Sequence, residues 1–262
     1  MKKILSKDGT PLAFDQSGAG PAVILVGGAF QQRATDSRTA QLAALLAPHF
    51  TVLHYDRRGR GDSGNTLPYA IEREIEDIDA LLQEVGGSAS VFGMSSGAVL
   101  TLRAAAHGLA IKKLALYEAP FNSGSDEDLQ ISANYTRQLT ALLAEGRRGD
   151  AAALAMQYFG TPAETVNSMR NLPFWSSTES VAPTLAYDNA IMGDGSVPTE
   201  LLASVTTPTL VIDGGASPAF MHKAAQAIAY YLPNAQHRRL PEQTHSYNPE
   251  VLAPVLTEFF AS

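Results

Sequence analysis

Gly93-Met94-Ser95-Ser96-Gly97 puts a serine at the centre of a G-x-S-x-G run, and His245 stands late in the chain in EQTHSYN. A serine hydroxyl is a weak nucleophile until a base takes its proton, and imidazole does this near neutral pH. The pair suits acyl transfer, in which the serine attacks an ester or lactone carbonyl. Five residues are a weak pattern by themselves, so their surroundings decide. SVFG before the serine reads as a strand and SGAVLTLRAAAHG after it as a helix. A sharp strand-to-helix turn there lifts the hydroxyl clear of the sheet. Side chains at Gly93 or Gly97 are expected to collide with neighbouring backbone. The bland alternative is a glycine turn with Ser95 or Ser96 capping the helix. Ser95 is preferred as nucleophile because it holds the central position.

Attack on a carbonyl puts negative charge on oxygen, which two backbone N–H groups can hold. Ser96, the residue after the nucleophile, supplies the first. The second is expected from Gly27-Gly28-Ala29-Phe30, where small residues let backbone approach a substrate; Ala29 is the favoured donor. Of the other histidines, His49, His54 and His107 precede or lie away from the expected loop. His222 falls in an expected helix and His237 in an expected strand.

The elements needed to position these groups are legible. Residues 2–16 read as a hairpin around Lys7-Asp8-Gly9. AVILV, TVLHY, SVFG, KLALY and TLVI are apolar runs suited to strands buried on both faces. Between them, Thr39–Leu46, Ile71–Val85 and Ser96–His107 have helical spacing. Residues 120–200 break the alternation with short amphipathic pieces and no clear strand. A further helix over Phe220–Leu232, the strand AQHRRL and a last helix close the chain. This predicts an α/β fold, a mostly parallel sheet with helices on both faces and an inserted helical cap. The core is expected at 1–119 and 201–262, the cap at 120–200.

The whole pattern resembles the α/β-hydrolase fold family through VILVGGAF, HYDRRGRGDS, FGMSSGAVL, TPTLVIDGG and QTHS. Many members carry His-Gly where this chain has Gly27-Gly28. The resemblance implies a catalytic triad, with His245 as base and an acid just beyond TLVI. Ser217 stands about where that acid belongs. Glu118, in LALYEAP, matches a subset of haloalkane dehalogenases in which the acid ends the preceding strand; Asp213 is the alternative. A serine nucleophile argues against dehalogenase chemistry itself. Phe30, Phe121, Trp175 and Met192 are expected to wall a pocket for an uncharged, largely apolar small molecule.

The net charge of −7 disfavours nucleic acid as a partner, and the absence of cysteine excludes disulfides and thiolate chemistry. Arg57, Arg58 and Arg60 read as a charged turn flanked by Asp56 and Asp62, not a binding patch. No apolar stretch is long enough to span a membrane or serve as a signal peptide, so a cytoplasmic protein is expected. No metal or organic cofactor is required, and monomer and homodimer both stay open. The rival functions are a lyase, C–C hydrolase or acyl transferase on the same fold, or a binding protein without turnover.

Overall fold

The computed structural model describes all 262 residues, Met1–Ser262. Eight strands form one sheet: β1 (Lys2–Leu5), β2 (Pro11–Ser17), β3 (Ala22–Val26), β4 (Thr51–Tyr55), β5 (Ala89–Met94), β6 (Ile111–Tyr117), β7 (Thr209–Gly214) and β8 (Ala235–Leu240). Their order is β1-β2-β4-β3-β5-β6-β7-β8. The β1–β2 hairpin joins β4 antiparallel; every later pairing is parallel. All-parallel pairing needs crossovers, and the helices supply them. Among them are α1 (Ser37–Leu46), α2 (Ile71–Glu84), α3 (Ser96–Ala106) and α10 (Ala219–Tyr231), while α11 (Pro249–Ala261) follows the last strand.

Alternation along the strands sorts the core into two layers. Val23 and Leu25 face α1 and α11, in a cluster with Leu42, Leu46, Leu252 and Leu256. Ile24 and Val26 face α2, α3 and α10, with Ile78, Leu102 and Ile228. The sheet is therefore covered on both sides, as the continuous apolar strands require. No helix is long and apolar enough to cross a membrane.

Between β6 and β7 lie α4 (Asp126–Ala144), α5 (Arg148–Tyr158), α6 (Ala163–Met169), α7 (Trp175–Val181), a 3₁₀ turn at Ala182–Thr184, α8 (Leu185–Met192) and α9 (Thr199–Ser204). They form an insertion without a named strand. One piece is not short: α4 runs for 19 residues and buries only Ser132, Tyr135 and Leu139. Such a narrow buried stripe explains why its length is weakly marked in the sequence.

Candidate active site

Ser95 caps α3 with φ 56° and ψ −126°. It is one of four non-glycine residues with positive φ; Phe30 and Glu118 are two others. Backbone strain at about 1–3 kcal/mol per residue persists only where surrounding structure imposes it. Here the ladder does so, since Ser95 N–H donates to the Tyr117 carbonyl at 2.9 Å. A Cβ at Gly93 would lie 2.6 Å from Thr101 Oγ1, and one at Gly97 would lie 2.5 Å from the carbonyls of Val26 and Gly27. Both glycines are thus required by the close approach of α3 to the sheet. Ser95 is half-buried, and its hydroxyl makes no hydrogen bond within the protein.

The loop that carries Ala29 lies against the turn that carries Ser95 and Ser96. A Cβ at Gly28 would come 2.8 Å from Ser95 Cβ, so this loop runs directly against the serine. Gly28 N–H donates to Gln31 Oε1. No turn or loop hydrogen bond uses the N–H of Ala29 or Ser96. Ser96 is the first residue of α3, where no intrahelical acceptor exists. Two unused donors beside a serine at a helix N-terminus make a place for negative charge.

Glu118 follows β6. Its N–H still reaches the Ile212 carbonyl at 3.0 Å, and its φ of 47° then turns the chain off the sheet. The side chain is buried. Oε2 accepts from His245 Nδ1 at 2.8 Å and Oε1 from Gly214 N–H at 2.9 Å. Burial alone would raise the Glu118 pKa. The hydrogen bonds from His245 and Gly214 outweigh it, so the carboxyl lies below its ordinary value. With Nδ1 engaged by Glu118, Nε2 of His245 is left without a hydrogen bond inside the protein. The His245 loop is fixed by Tyr117, whose hydroxyl donates to the Thr244 carbonyl at 2.6 Å. No hydrogen bond joins His245 to Ser95 in the free protein, and such contacts commonly tighten only with substrate bound.

Asp213 does not meet His245. It is fully buried in β7, where its carboxylate is bound by His222 Nδ1, His237 Nε2 at 2.5 Å and Arg239 Nε at 3.0 Å. Alternation turns Asp213 toward α10, since Val211, two residues before it, faces that layer. Between the two acids left open by the sequence, the structure joins only Glu118 to His245.

The arginine loop is a turn, as expected, and its guanidiniums are turned inward. Arg57, Arg58 and Arg60 are buried, and none of the three is paired with Asp56 or Asp62. Arg57 is bidentate on Glu74 of α2 (2.7 and 2.9 Å) and reaches Asp188 of α8 at 2.8 Å. Arg58 is bidentate on Asp77, at 2.7 Å for both contacts, and Arg60 donates Nη2 to both oxygens of Asp188 at 2.9 and 2.8 Å. Buried guanidiniums persist only with such satisfaction. Glu74 and Asp77 flank Ile75 and Ile78 on the buried face of α2; acids placed on an apolar stripe were the available signal. Asp188 carried none.

The four expected wall residues divide between two clusters. Phe121, 1% exposed, and Met192 pack with the sheet core. Trp175 packs within the insertion, its Nε1 donating to Glu179 at 3.0 Å and Arg170 lying 5.6 Å over its ring. Phe30 alone adjoins the serine loop. It meets Phe159 edge-on at 6.4 Å, beside the stacked pair Tyr135 and Tyr158. The structure does not bring the four together: Phe121 is consumed by core packing, Trp175 lies among the helices of the insertion, and Phe30 stands beside Phe159.

A family model described as the alpha/beta hydrolase family matches residues 22–255. The chain belongs to the alpha/beta hydrolase family. An alpha/beta hydrolase from Sphaerobacter thermophilus is similar at 52% identity and TM-score 0.89, covering 99% of this chain and 100% of that one. A thermophilic esterase from Thermogutta terrifontis is similar at 24% identity and TM-score 0.75, covering 99% and 97%. An enol-lactonase from Burkholderia xenovorans is similar at 23% identity and TM-score 0.72, covering all of both chains. Likeness at those two lower identities speaks for the fold. As an alpha/beta hydrolase, the chain keeps its serine turn, Glu118 and histidine loop past the carboxyl ends of β5, β6 and β8, the edge at which open α/β sheets hold their sites.

Proposed function

We propose that this alpha/beta hydrolase cleaves an ester or lactone of a small, largely apolar molecule through Ser95, His245 and Glu118, without a cofactor. The carrying observation is the buried Glu118, hydrogen-bonded at once to His245 Nδ1 and Gly214 N–H. That contact orients the ring with Nε2 available as base. In the proposed reaction Nε2 takes the Ser95 proton as Oγ attacks the carbonyl carbon. The N–H groups of Ala29 and Ser96 hold the resulting oxyanion. The imidazolium, stabilised by Glu118, then protonates the leaving oxygen. Water, deprotonated by the same ring, frees the acid and restores Ser95.

The insertion serves as the cap, and Phe30 with Phe159, Tyr135 and Tyr158 contacts the apolar part of the substrate. An esterase and an enol-lactonase among the similar structures are built on this fold. Short-chain 4-nitrophenyl esters test the reading. Mixing enzyme with excess ester is expected to release one nitrophenolate per chain in a burst, followed by slower turnover. Ester cleavage without a serine-linked intermediate would count against it.

A further inference from the structure

We propose that Asp188, a carboxylate of the helical insertion, positions both oxyanion-hole donors from beneath, through Arg60 on one side and Ser96 on the other. The inference rests on the acyl-transfer reading above. Asp188 is buried and accepts three independent groups: Arg57 Nη1 (2.8 Å), Arg60 Nη2 (2.9 and 2.8 Å) and the Ser96 hydroxyl (2.7 Å). Arg60, held this way, donates Nη1 to the Gly28 carbonyl. The Gly28–Ala29 peptide is planar and trans, so its carbonyl and the Ala29 N–H point in opposite directions. Fixing the carbonyl down on Arg60 therefore fixes the Ala29 N–H up. Arg57 Nη1 adds a contact to the Gly27 carbonyl at 3.3 Å.

On the other side, the Ser96 side chain is tied to Asp188 and lies 3.4 Å from Arg57 Nη1. This anchors the first residue of α3. The Ser95 carbonyl accepts from Ala98 and Val99 within the helix, so the Ser96 N–H points out of the helix end. One carboxylate thus reaches the peptide of each donor, and it comes from the insertion and not from the sheet. Glu74 balances the second guanidinium, and Tyr69 donates its hydroxyl to Glu74 at 3.0 Å.

Positioning and field act with opposite signs here. Removing a negative charge below the hole would by itself favour an oxyanion above it. Loss of positioning would disfavour it. Asp188→Asn keeps the side-chain shape and removes the charge. Arg60→Met with Asp188→Leu removes one charge of each sign and leaves the Arg57–Glu74 pair intact, so it tests the same link should the single variant fold poorly.

Both variants are expected to lower kcat at least about tenfold with KM nearly unchanged, since one lost oxyanion donor is typically worth about 10²–10³. Affinity for a trifluoromethyl ketone, which forms an oxyanion adduct, should fall by the same factor, while affinity for the neutral alcohol product should not move. Rates are normalised to sites titrated with a phosphonate. Unchanged or raised kcat in folded variants, beside an active wild type, overturns this inference and leaves the ester reading standing. A wild type inert to both ester and phosphonate overturns the two together.

Discussion

Ser95→Ala is expected to lower kcat/KM for nitrophenyl esters by about 10⁴-fold or more and to abolish the burst. Loss of a serine nucleophile elsewhere removes on the order of 10⁶ in kcat, and the oxyanion hole with substrate binding leaves a residue of about 10³–10⁴ over water. The fold should not suffer. The Ser95 hydroxyl makes no hydrogen bond in the protein, so its removal orphans nothing. The strained backbone is imposed from outside, by the ladder bond to Tyr117 and by Gly93, Gly97 and Gly28 pressed against their neighbours. Alanine adopts it no worse than serine. Equal or slightly raised thermal stability with activity lost is the expected pair of results, measured by calorimetry and by initial rates. Such a split between stability and activity is usual where a site stores strain. Retained ester cleavage would place the nucleophile elsewhere.

Glu118→Gln is expected to lower kcat by about 10³–10⁴. The reason lies in Gly214. Its N–H must be met by an acceptor, and in the glutamine variant only the amide oxygen can serve. The amide NH₂ then faces His245 Nδ1 and forces that nitrogen to accept. The ring proton moves to Nε2, where the lone pair is needed. Asp213→Asn should behave oppositely. It should keep kcat within a few-fold, because Asp213 is bound to His222, His237 and Arg239 and not to His245. It should still lower stability by about 1–3 kcal/mol, as buried donors lose a charged partner.

Stability against pH gives a second measure of the same carboxylate. Hydrogen bonds from His245 and Gly214 overcome burial and hold the folded Glu118 pKa below its ordinary value of 4.5. A depressed folded value means that the stabilisation is fully present above the unfolded pKa. It is lost as pH falls through the folded one. The urea-midpoint difference between wild type and Glu118→Gln should therefore be largest near neutral pH. It should shrink once pH drops below the ordinary carboxylate range.

Much of this architecture was legible because it is written in local patterns. Continuous apolar runs such as AVILV name strands covered on both faces, and Gly93 and Gly97 name a turn with no room for Cβ. Glu118 was legible as well, since a carboxylate directly after the apolar KLALY must turn off the sheet at its carboxyl edge. The choice between Glu118 and Asp213 was not. It depends on which face of β7 Asp213 takes and on a loop placed by Tyr117, a contact between residues 117 and 244. The partners of the arginine loop were not legible for a related reason. Its neutralising partners are Asp8, Glu74, Asp77 and Asp188, up to 131 residues away, whereas Asp56 and Asp62 are near only in sequence. The aromatic residues could not be sorted into core and pocket, because Phe121 and Phe30 differ in neighbours and not in kind.

The most direct measurement is mass mapping of the protein after reaction with a fluorophosphonate at neutral pH. One adduct per chain, on the peptide holding Ser95 and absent from His245→Ala, is the result expected of a serine made reactive by that imidazole. A chain left unlabelled, or labelled as readily without the imidazole, would contradict it.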